Sequence, residues 1–415
     1  MNMKKTNYAI IGGGLTGCMI AFLISKKIKK AEVKIFESRD HLMSSFDSIN
    51  IKGKSLNNGY HALELPRAQE ALNTINQIPN LKLIKLSGKK GLIIEEKLIE
   101  INSTLNQWPE KIKKYFKKKT VKGNIEYLKS QISEEYLDKL KIVSKRYCDD
   151  FTLVEHLMIP WFLPKNYIID SEDEGDLFRN DIKLNKYNAQ SIITESGLFE
   201  EIQEPFKHLL EELNVEIKFN NQIIIDSESK LLDESNFNIK KFNKTFFCSS
   251  PIFILKQINF EMYKKLLINE KSLYNVLIKI CEYKQPECFS EILVLDENDI
   301  SISRLSFPNN LKSDNDTYIQ VEVFEKDHYE NIIANRIIGS IRRLLKISSK
   351  YKIELIGIIN SRKSYFPSKE HINNAIEEIN NWKNKNNYDI EFLLPLGPIN
   401  MAKSAIIAKN NINNL

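Results

Sequence analysis

Apolar residues crowd the stretch from Tyr8 to Ile24, 17 residues without a charge, flanked by Lys4-Lys5 and Lys26-Lys27. Tyr8-Ala-Ile-Ile11 reads as a buried strand, Gly12-Gly13-Gly14 as a turn, and Leu15 to Ile24 as an apolar helix. A second strand, Val33-Lys-Ile-Phe36, follows. A membrane span needs about 20 apolar residues, and this run changes from strand to helix around three glycines. No small-residue cleavage site precedes a polar mature start, so the run is not read as a secretory signal. It predicts a buried strand and helix at the centre of a sheet, and no other stretch is long and apolar enough to span a bilayer.

Further along, Pro66 opens a helix and Leu81–Ile101 alternates as strands, with a Gly-Lys-Lys-Gly turn at 88–91 predicting a hairpin. Trp108-Pro109 starts a helical region that runs to about Leu157, Pro109 sitting in the first turn where its missing N–H costs nothing. Ile159–Asn188 carries Pro160, Pro164 and the acids Glu172, Asp173 and Glu174, and reads as a loop-rich connection whose acids are solvated. Ser196-Gly197 opens a helix to Leu213, followed by strands at Val215–Phe219, Ile223–Ile225 and Thr245–Cys248. Leu273–Phe324 holds several strands, Asn331–Leu345 a helix and Ile353–Ile359 a strand. A helix over Glu370–Trp382, a strand at Ile390–Leu394, a Pro-Leu-Gly-Pro turn and a helix from Asn400 to about Ala408 close the pattern.

The stretch Gly12-Gly13-Gly14-Leu15-Thr16-Gly17 is a G-x-G-x-x-G turn between strand and helix, and Glu37 follows Gly17 by 20 residues at the end of the second strand. Each part has a task in holding a dinucleotide. Gly12 permits the tight turn, Gly14 has no Cβ to block a pyrophosphate, and Gly17, with Ala21 one turn on, lets the helix pack closely. The helix start offers free N–H groups and partial positive charge to phosphates. Glu37 can accept hydrogen bonds from ribose hydroxyls. Segments resembling further pieces of such a domain recur near 196–250 and at the C-terminal end, with other material between. That interleaving favours a cofactor held along much of its length, FAD rather than NAD.

Composition narrows the partners. The chain has 415 residues, enough for two or three domains, with 42% hydrophobic and 27% charged residues, as in a soluble globular protein. Its net charge of +6, from 60 basic and 54 acidic residues, is too mild to argue for nucleic acid. The five cysteines, Cys18, Cys148, Cys248, Cys281 and Cys288, are scattered and form no C-x-x-C pair, which fits a reducing cytoplasm. No nucleophile elbow, P-loop or zinc motif is present. Hard chemistry then belongs to the cofactor, with the protein supplying orientation and field.

Several segments resemble the FAD-binding superfamily that includes amine oxidases, protoporphyrinogen oxidases and UDP-galactopyranose mutases. Glu37-Ser38-Arg39-Asp-His41-Leu is similar to the mutase-type run in which Glu holds the adenosine ribose and Arg lies along the cofactor. Asn58-Gly59-Tyr60-His61 resembles the family's G-x-H segment, whose backbone lies close to the flavin ring. Ser303-Arg304-Leu-Ser-Phe-Pro is similar to a strand-end segment of the oxidase-like members, and Tyr365-Phe-Pro367 to their tyrosine-x-proline element. Asn400-Met401-Ala-Lys-Ser404 resembles the start of the final helix, whose N-terminus points at the flavin pyrimidine edge.

The resemblance implies an α/β fold of glutathione-reductase type. A Rossmann-like FAD domain (residues 1–80, 190–258 and 366–415) is interleaved with an α+β substrate domain (81–189 and 259–365; helical part 108–158, β-rich part 273–360). It implies FAD contacts at Gly12, Gly14, Leu15, Thr16, Gly17, Glu37, Ser38, Arg39, Gly59, Tyr60, His61, Gly397, Asn400 and Met401. The chain departs from the family after Glu37, where paired glycines are replaced by Met43-Ser44-Ser45. It departs again before Asn400, where a Gly-Arg pair is replaced by Leu394-Pro-Leu-Gly397-Pro-Ile, and the tyrosine-rich loop of the mutases is missing.

Two residues are candidates for chemistry. His61 can relay protons beside a flavin, since imidazole titrates near neutrality. Arg304, read at a strand end, can pair with a substrate carboxylate or phosphate. The basic run Lys111, Lys113, Lys114, Lys117, Lys118, Lys119 and Lys122 reads as a hydrated helix face. The leading expectation is a FAD-dependent oxidoreductase taking a hydride from a small organic substrate onto non-covalent flavin. A nucleotide-sugar mutase that uses reduced flavin is the first alternative, its substrate an anion. A catalytically inactive flavin-fold binding protein is the second.

Overall fold

A computed structural model describes the chain apart from residues 1–5, 60–61, 66–67, 87–88, 102, 149, 155–157, 160–161, 170–189, 227, 229, 236, 268–269, 285–288, 300, 314, 326–329, 365–366, 394–400 and 414–415. Two large sheets organise it. The first is a five-stranded parallel sheet in the order Glu216–Lys218, Ala31–Phe36, Thr6–Ile11, Lys244–Phe247, Ile390–Phe392. Its strands come from three stretches far apart in sequence.

Side-chain alternation explains why Tyr8–Ile11 is apolar throughout. Tyr8 and Ile10 face one core, with the helices Leu15–Lys27, Gln203–Glu212 and Met401–Asn413. Ala9 and Ile11 face the other, with Ile252–Ile258, Phe260–Leu266 and Lys369–Lys385. A parallel strand covered on both faces reads as a continuous apolar run. The helix Leu15–Lys27 is buried almost all round, and Lys26 and Lys27 in its last turn complement the helix dipole.

The second sheet has seven strands in the order Ile353–Ser364, Lys271–Ile280, Thr317–Glu325, Ile302–Ser306, Phe289–Leu295, Lys89–Ile94, Lys97–Glu100. Only the pairing of Phe289–Leu295 with Lys89–Ile94 is parallel. One face packs on Ile337, Ile341 and Leu344 of the helix Glu330–Leu344. The other packs on the helical region that contains Leu128, Tyr136 and Leu140. Arg146, fully buried, fastens that region to the sheet by donating to the carbonyls of Val143, Val294 and Ile302 at 3.0, 2.7 and 2.6 Å.

Three sequence expectations change. The hairpin Lys89–Ile94/Lys97–Glu100 turns at Glu95-Glu96, both left-handed at φ 47° and 59°, and not at Gly88–Gly91. Lys89 already begins the strand, and Gly91 lies inside it because a Cβ would stand 2.9–3.1 Å from Leu98, Ile292 and Phe289. The region 108–158 is not continuously helical. It breaks into Glu110–Lys113, Ile125–Ser130 and Glu134–Ser144, with Asn124 and Ser133 capping the last two, and the strand Val121–Gly123 pairs in parallel with Tyr167–Ile169. The basic run therefore does not form one helix face: Lys111 pairs with Glu95, Lys113 with Glu110 and Lys114 with Glu135.

A small hairpin, Ser48–Ile51/Lys54–Asn57, joins the two halves. Its Ile51 and Leu56 pack on Leu277 of the seven-stranded sheet.

Candidate functional site

The glycine turn leaves the central strand at its carboxyl end. There the chain order of the sheet diverges, Ala31–Phe36 on one side and Lys244–Phe247 on the other. Open α/β sheets bind ligands at such a switch point. Gly12 sits at φ 103°, and a Cβ on it would meet Ser249 Oγ at 2.3 Å. Its N–H donates to Phe36 O at 2.8 Å. A Cβ on Gly17 would stand 2.0 Å from the carbonyl oxygen of Gly12, so the helix and the turn touch through their backbones.

Gly14 differs. A Cβ there meets no atom within 4 Å, and its backbone, at φ −68° and ψ 177°, suits any residue. It is the N-cap of Leu15–Lys27 without a side-chain capping bond, and no acid stands in the first turn. The first N–H groups of a helix lack intrahelical partners, so they are left for a ligand. Leu15 and Thr16 are buried beside them.

Glu37 is buried at the end of Ala31–Phe36. Its carboxylate accepts from Gly13 N at 2.6 Å, from Arg39 N at 2.9 Å and from Ser38 Oγ at 3.2 Å. Two carboxylate oxygens offer about four acceptor positions, which leaves capacity for a ribose hydroxyl. Gly13, the unremarked middle glycine of the motif, must also be glycine. A Cβ on it would lie 2.6 Å from Leu42 Cδ2 and 3.0 Å from Glu37 Oε2. Ser38 and Arg39 are exposed at the rim.

Met43 stands where the resembled family has glycine, and it takes the left-handed conformation at φ 54°. It is fully buried, and its N–H donates to Gly13 O at 2.8 Å. The loop is braced by His41, whose ring nitrogens lie 2.6 Å from Asp40 Oδ1 and 2.8 Å from Asp47 Oδ1. Partial burial pulls the His41 pKa down, but the bonds to Asp40 and Asp47 outweigh it and the net shift is upward. Cys18, inside the first helix, donates to Gly13 O, and burial pushes its thiol well above the usual range. It is a packing residue and not a thiolate.

Ser249 and Ser250, which follow the neighbouring strand, went unassigned by sequence reasoning. Ser249 packs on Gly12, and the buried hydroxyl of Ser250 has no hydrogen-bond partner. The only signal was an apolar strand running into Ser-Ser-Pro. These features fit a dinucleotide: an open lane above Gly14, an uncapped helix start, an acceptor at Glu37 and an orphaned hydroxyl at the adjoining strand end.

Gly59 ends the joining hairpin at φ 97°, a conformation that favours glycine. The seven-stranded sheet holds this segment: Gln320 Nε2 donates to Asn57 O at 2.9 Å and to Asn275 Oδ1 at 2.7 Å. Gly59 lines a cleft with Asn57, Leu86, Ile193, Ser290, Ser306, Phe307 and Gln320. Tyr60, His61, Gly397 and Asn400 lie outside the described residues, and Met401 begins the last helix.

Arg304 is in mid-strand, not at a strand end as the sequence suggested. Its guanidinium lies 3.5 Å from Glu291 and 3.9 Å from Glu322, both buried, and Lys90 lies 2.8 Å from Glu291. Lys90 and Arg304 thus face two carboxylates, and the cluster is neutral in sum. Among the described residues no group of His, Cys, Asp and Glu has metal-site geometry, and no helix is long and apolar enough to cross a membrane.

Residues 10–77 match the family model of an NAD(P)-binding Rossmann-like domain. Across the whole chain, the fold is similar to that of reduced UDP-galactopyranose mutase: TM-score 0.70 at 14% identity, over 99% of this chain and 94% of that one. A protein described as a protoporphyrinogen oxidase from Exiguobacterium sp. 255-15 aligns with TM-score 0.61 at 12% identity, over 100% and 99%. A variant of putrescine oxidase aligns with TM-score 0.56 at 11% identity, over 99% of each chain. The chain shares its overall fold with these three proteins. No curated protein matches it in sequence. The superfamily resemblance read from the Glu37, Gly59 and Asn400 segments therefore holds at the level of fold.

Proposed function

We propose that the chain is a FAD-dependent oxidoreductase that holds FAD without a covalent link and acts on a small organic substrate. When bound, FAD supplies the hydride acceptor. The observation that carries this reading is the lane above Gly14, bounded by the uncapped start of Leu15–Lys27, by Glu37 and by the Ser249-Ser250 strand end. Bound there, FAD would be held by the N–H groups of Leu15, Thr16 and Gly17 at its pyrophosphate and by Glu37 at its adenosine ribose, with Arg39 alongside by resemblance. The backbone of Gly59 and residues Tyr60, His61, Gly397, Asn400 and Met401 serve the flavin end by resemblance. By the same resemblance His61 is the candidate to carry a proton for the flavin.

The domain division supports the same reading. The parallel sheet draws its strands from 1–80, 190–258 and 366–415, which form the cofactor domain. The mixed sheet draws its strands from 81–189 and 259–365, which form the substrate domain. Free, scattered cysteines, three of them buried, support a cytoplasmic setting.

The test is the purified protein itself. It should be yellow and release FAD, identified by mass spectrometry, on denaturation. Colourless protein that cannot be reconstituted with FAD but binds NAD tightly overturns the proposal. Substrate-dependent bleaching of the oxidised flavin supports the oxidoreductase. Turnover that requires a chemical reductant and gives no net oxidation selects the mutase reading instead.

A further inference from the structure

The cleft beside Gly59 has a chemistry that the cofactor lane does not explain. Its described lining contains no charged side chain. Most of its polar groups are committed to the protein. Asn57 donates to Gly197 O and accepts from Phe199 N, Asn310 donates to Ser55 O, and Gln320 donates to Asn57 O and Asn275 Oδ1.

Two hydroxyls are left. Ser306 is 5% exposed, and its Oγ has no hydrogen-bond partner. A native protein seldom leaves a buried hydroxyl unpaired, because its desolvation is then uncompensated. Ser290 is delivered by a β-bulge: Phe289 faces Lys89 and Glu291 faces Lys90, so Ser290 is the extra residue between them. Bulges re-aim single side chains next to functional sites. Ser290 Oγ makes only a 3.4 Å contact with Lys89 O. Phe307, Pro308, Leu86 and Ile193 supply apolar wall.

The charges behind the cleft cancel. Lys90, Glu291, Arg304 and Glu322 neutralise one another within the sheet, so Arg304 offers no net positive field to an anion. No carboxylate in the described lining awaits an ammonium group. We infer that this cleft recognises an uncharged, hydroxyl-bearing small molecule through Ser306 and Ser290, its C–H surface lying against Phe307 and Pro308. The inference rests on the flavoprotein reading only for calling that molecule a substrate, since the hydroxyls and the wall belong to this chain alone.

The experiment is saturation-transfer NMR on the full-length protein as purified, with glucose, glucose 1-phosphate and 1,4-diaminobutane as separate probes. Flavin content and thermal midpoint are recorded on the same samples. Glucose should give transfer that weakens about tenfold in Ser306→Val, the loss of one hydrogen bond, and recovers in Ser306→Thr. The thermal midpoint should not fall, since the hydroxyl has no protein partner to lose. Preferential binding of the phosphate or the diamine overturns the inference, as does glucose binding that is absent or indifferent to Ser306→Val. Absence of flavin sinks the oxidoreductase reading and leaves the probe result to stand or fall separately.

Discussion

Gly14 and Gly17 belong to the same motif, yet the structure assigns them different work, and alanine at each separates ligand space from protein packing. At Gly17 a Cβ would lie 2.0 Å from Gly12 O. Neither the turn nor the buried helix can move away cheaply, and overpacking of this kind costs about 1–3 kcal/mol or more. At Gly14 nothing lies within 4 Å, and φ −68° with ψ 177° is open to any residue. Reduced freedom of the unfolded chain favours Gly14→Ala by about 0.4–1 kcal/mol. Alanine is a poorer N-cap than glycine, by an amount of similar size. The two effects nearly cancel, so the flavin-free Gly14→Ala protein should melt close to wild type while Gly17→Ala melts several degrees lower.

FAD affinity should rank the other way round for the surviving fold. The new methyl of Gly14→Ala projects into the lane that the pyrophosphate needs, a clash of about 1–3 kcal/mol or roughly 5- to 150-fold in affinity. Gly14→Val should be worse for FAD, though it too leaves the turn unstrained. The assays are thermal melts of the stripped proteins and fluorescence titration with FAD. Wild-type FAD affinity in Gly14→Ala would show that the open space above it is not the cofactor lane. A melt of Gly14→Ala as low as that of Gly17→Ala would show that the turn, and not the ligand, needs that glycine.

Three other expectations can be checked alongside. Glu37→Ala should destabilise even the stripped protein by about 1–3 kcal/mol, because the N–H of Gly13 loses its buried acceptor; Glu37→Gln, which keeps an acceptor oxygen, should restore most of it in chemical denaturation. His41 is the pH-sensitive brace: its folded pKa is raised by Asp40 and Asp47, so its contribution is full below the unfolded value near 6.5 and is lost as pH rises through the folded value. Thermal midpoints of wild type minus His41→Ala, measured from pH 5.5 to 8.5, should therefore shrink as pH rises, and a constant difference would refute the brace. Arg304→Met should cost about 1–3 kcal/mol, because Glu291 and Glu322 lose a neighbouring cation although Lys90 still pairs with Glu291; an unchanged denaturation midpoint would return Arg304 to the role of a substrate anchor.

Much of the cofactor lane was legible because it is local. One strand, one turn, one helix and one further strand carry most of it, close together in sequence, while Gly12 answers to Ser249 of a distant strand end. Even there nothing local signals the middle glycine's task. Gly13 must be small because Glu37 and Leu42 close over it, a contact visible only once the second strand is laid beside the first. The errors share a different cause. Glycine marks most left-handed turns and so points to Gly88–Gly91, whereas the chain turns at two glutamates, Glu95 and Glu96. The glycine-turn rule describes the lowest-cost residue and not the only one, and Lys111 and Lys139 pairing with Glu95 helps hold the exception. The helical reading of 108–158 failed where a three-residue strand finds its partner at Tyr167–Ile169, more than 40 positions on.

The cleft was illegible for a stronger reason: no segment of the chain owns it. Asn57 and Gly59 arrive on a hairpin, Gln320 from 263 positions beyond Asn57, and Ser290 and Ser306 from two adjacent strands of another sheet. The sequence draws attention to Arg304 because a cation at a strand end can pair with a substrate anion, and not to Ser306, which carries no charge. Burial reverses the two. A half-buried arginine facing two buried carboxylates has its charge largely balanced by the protein, and Arg304 has Glu291 and Glu322. A buried hydroxyl with no acceptor still has a bond to make, and Ser306 is such a residue two positions along the same strand. The residue that can still gain from a ligand is therefore the inconspicuous one, and the charged residue beside it holds the sheet in which it stands.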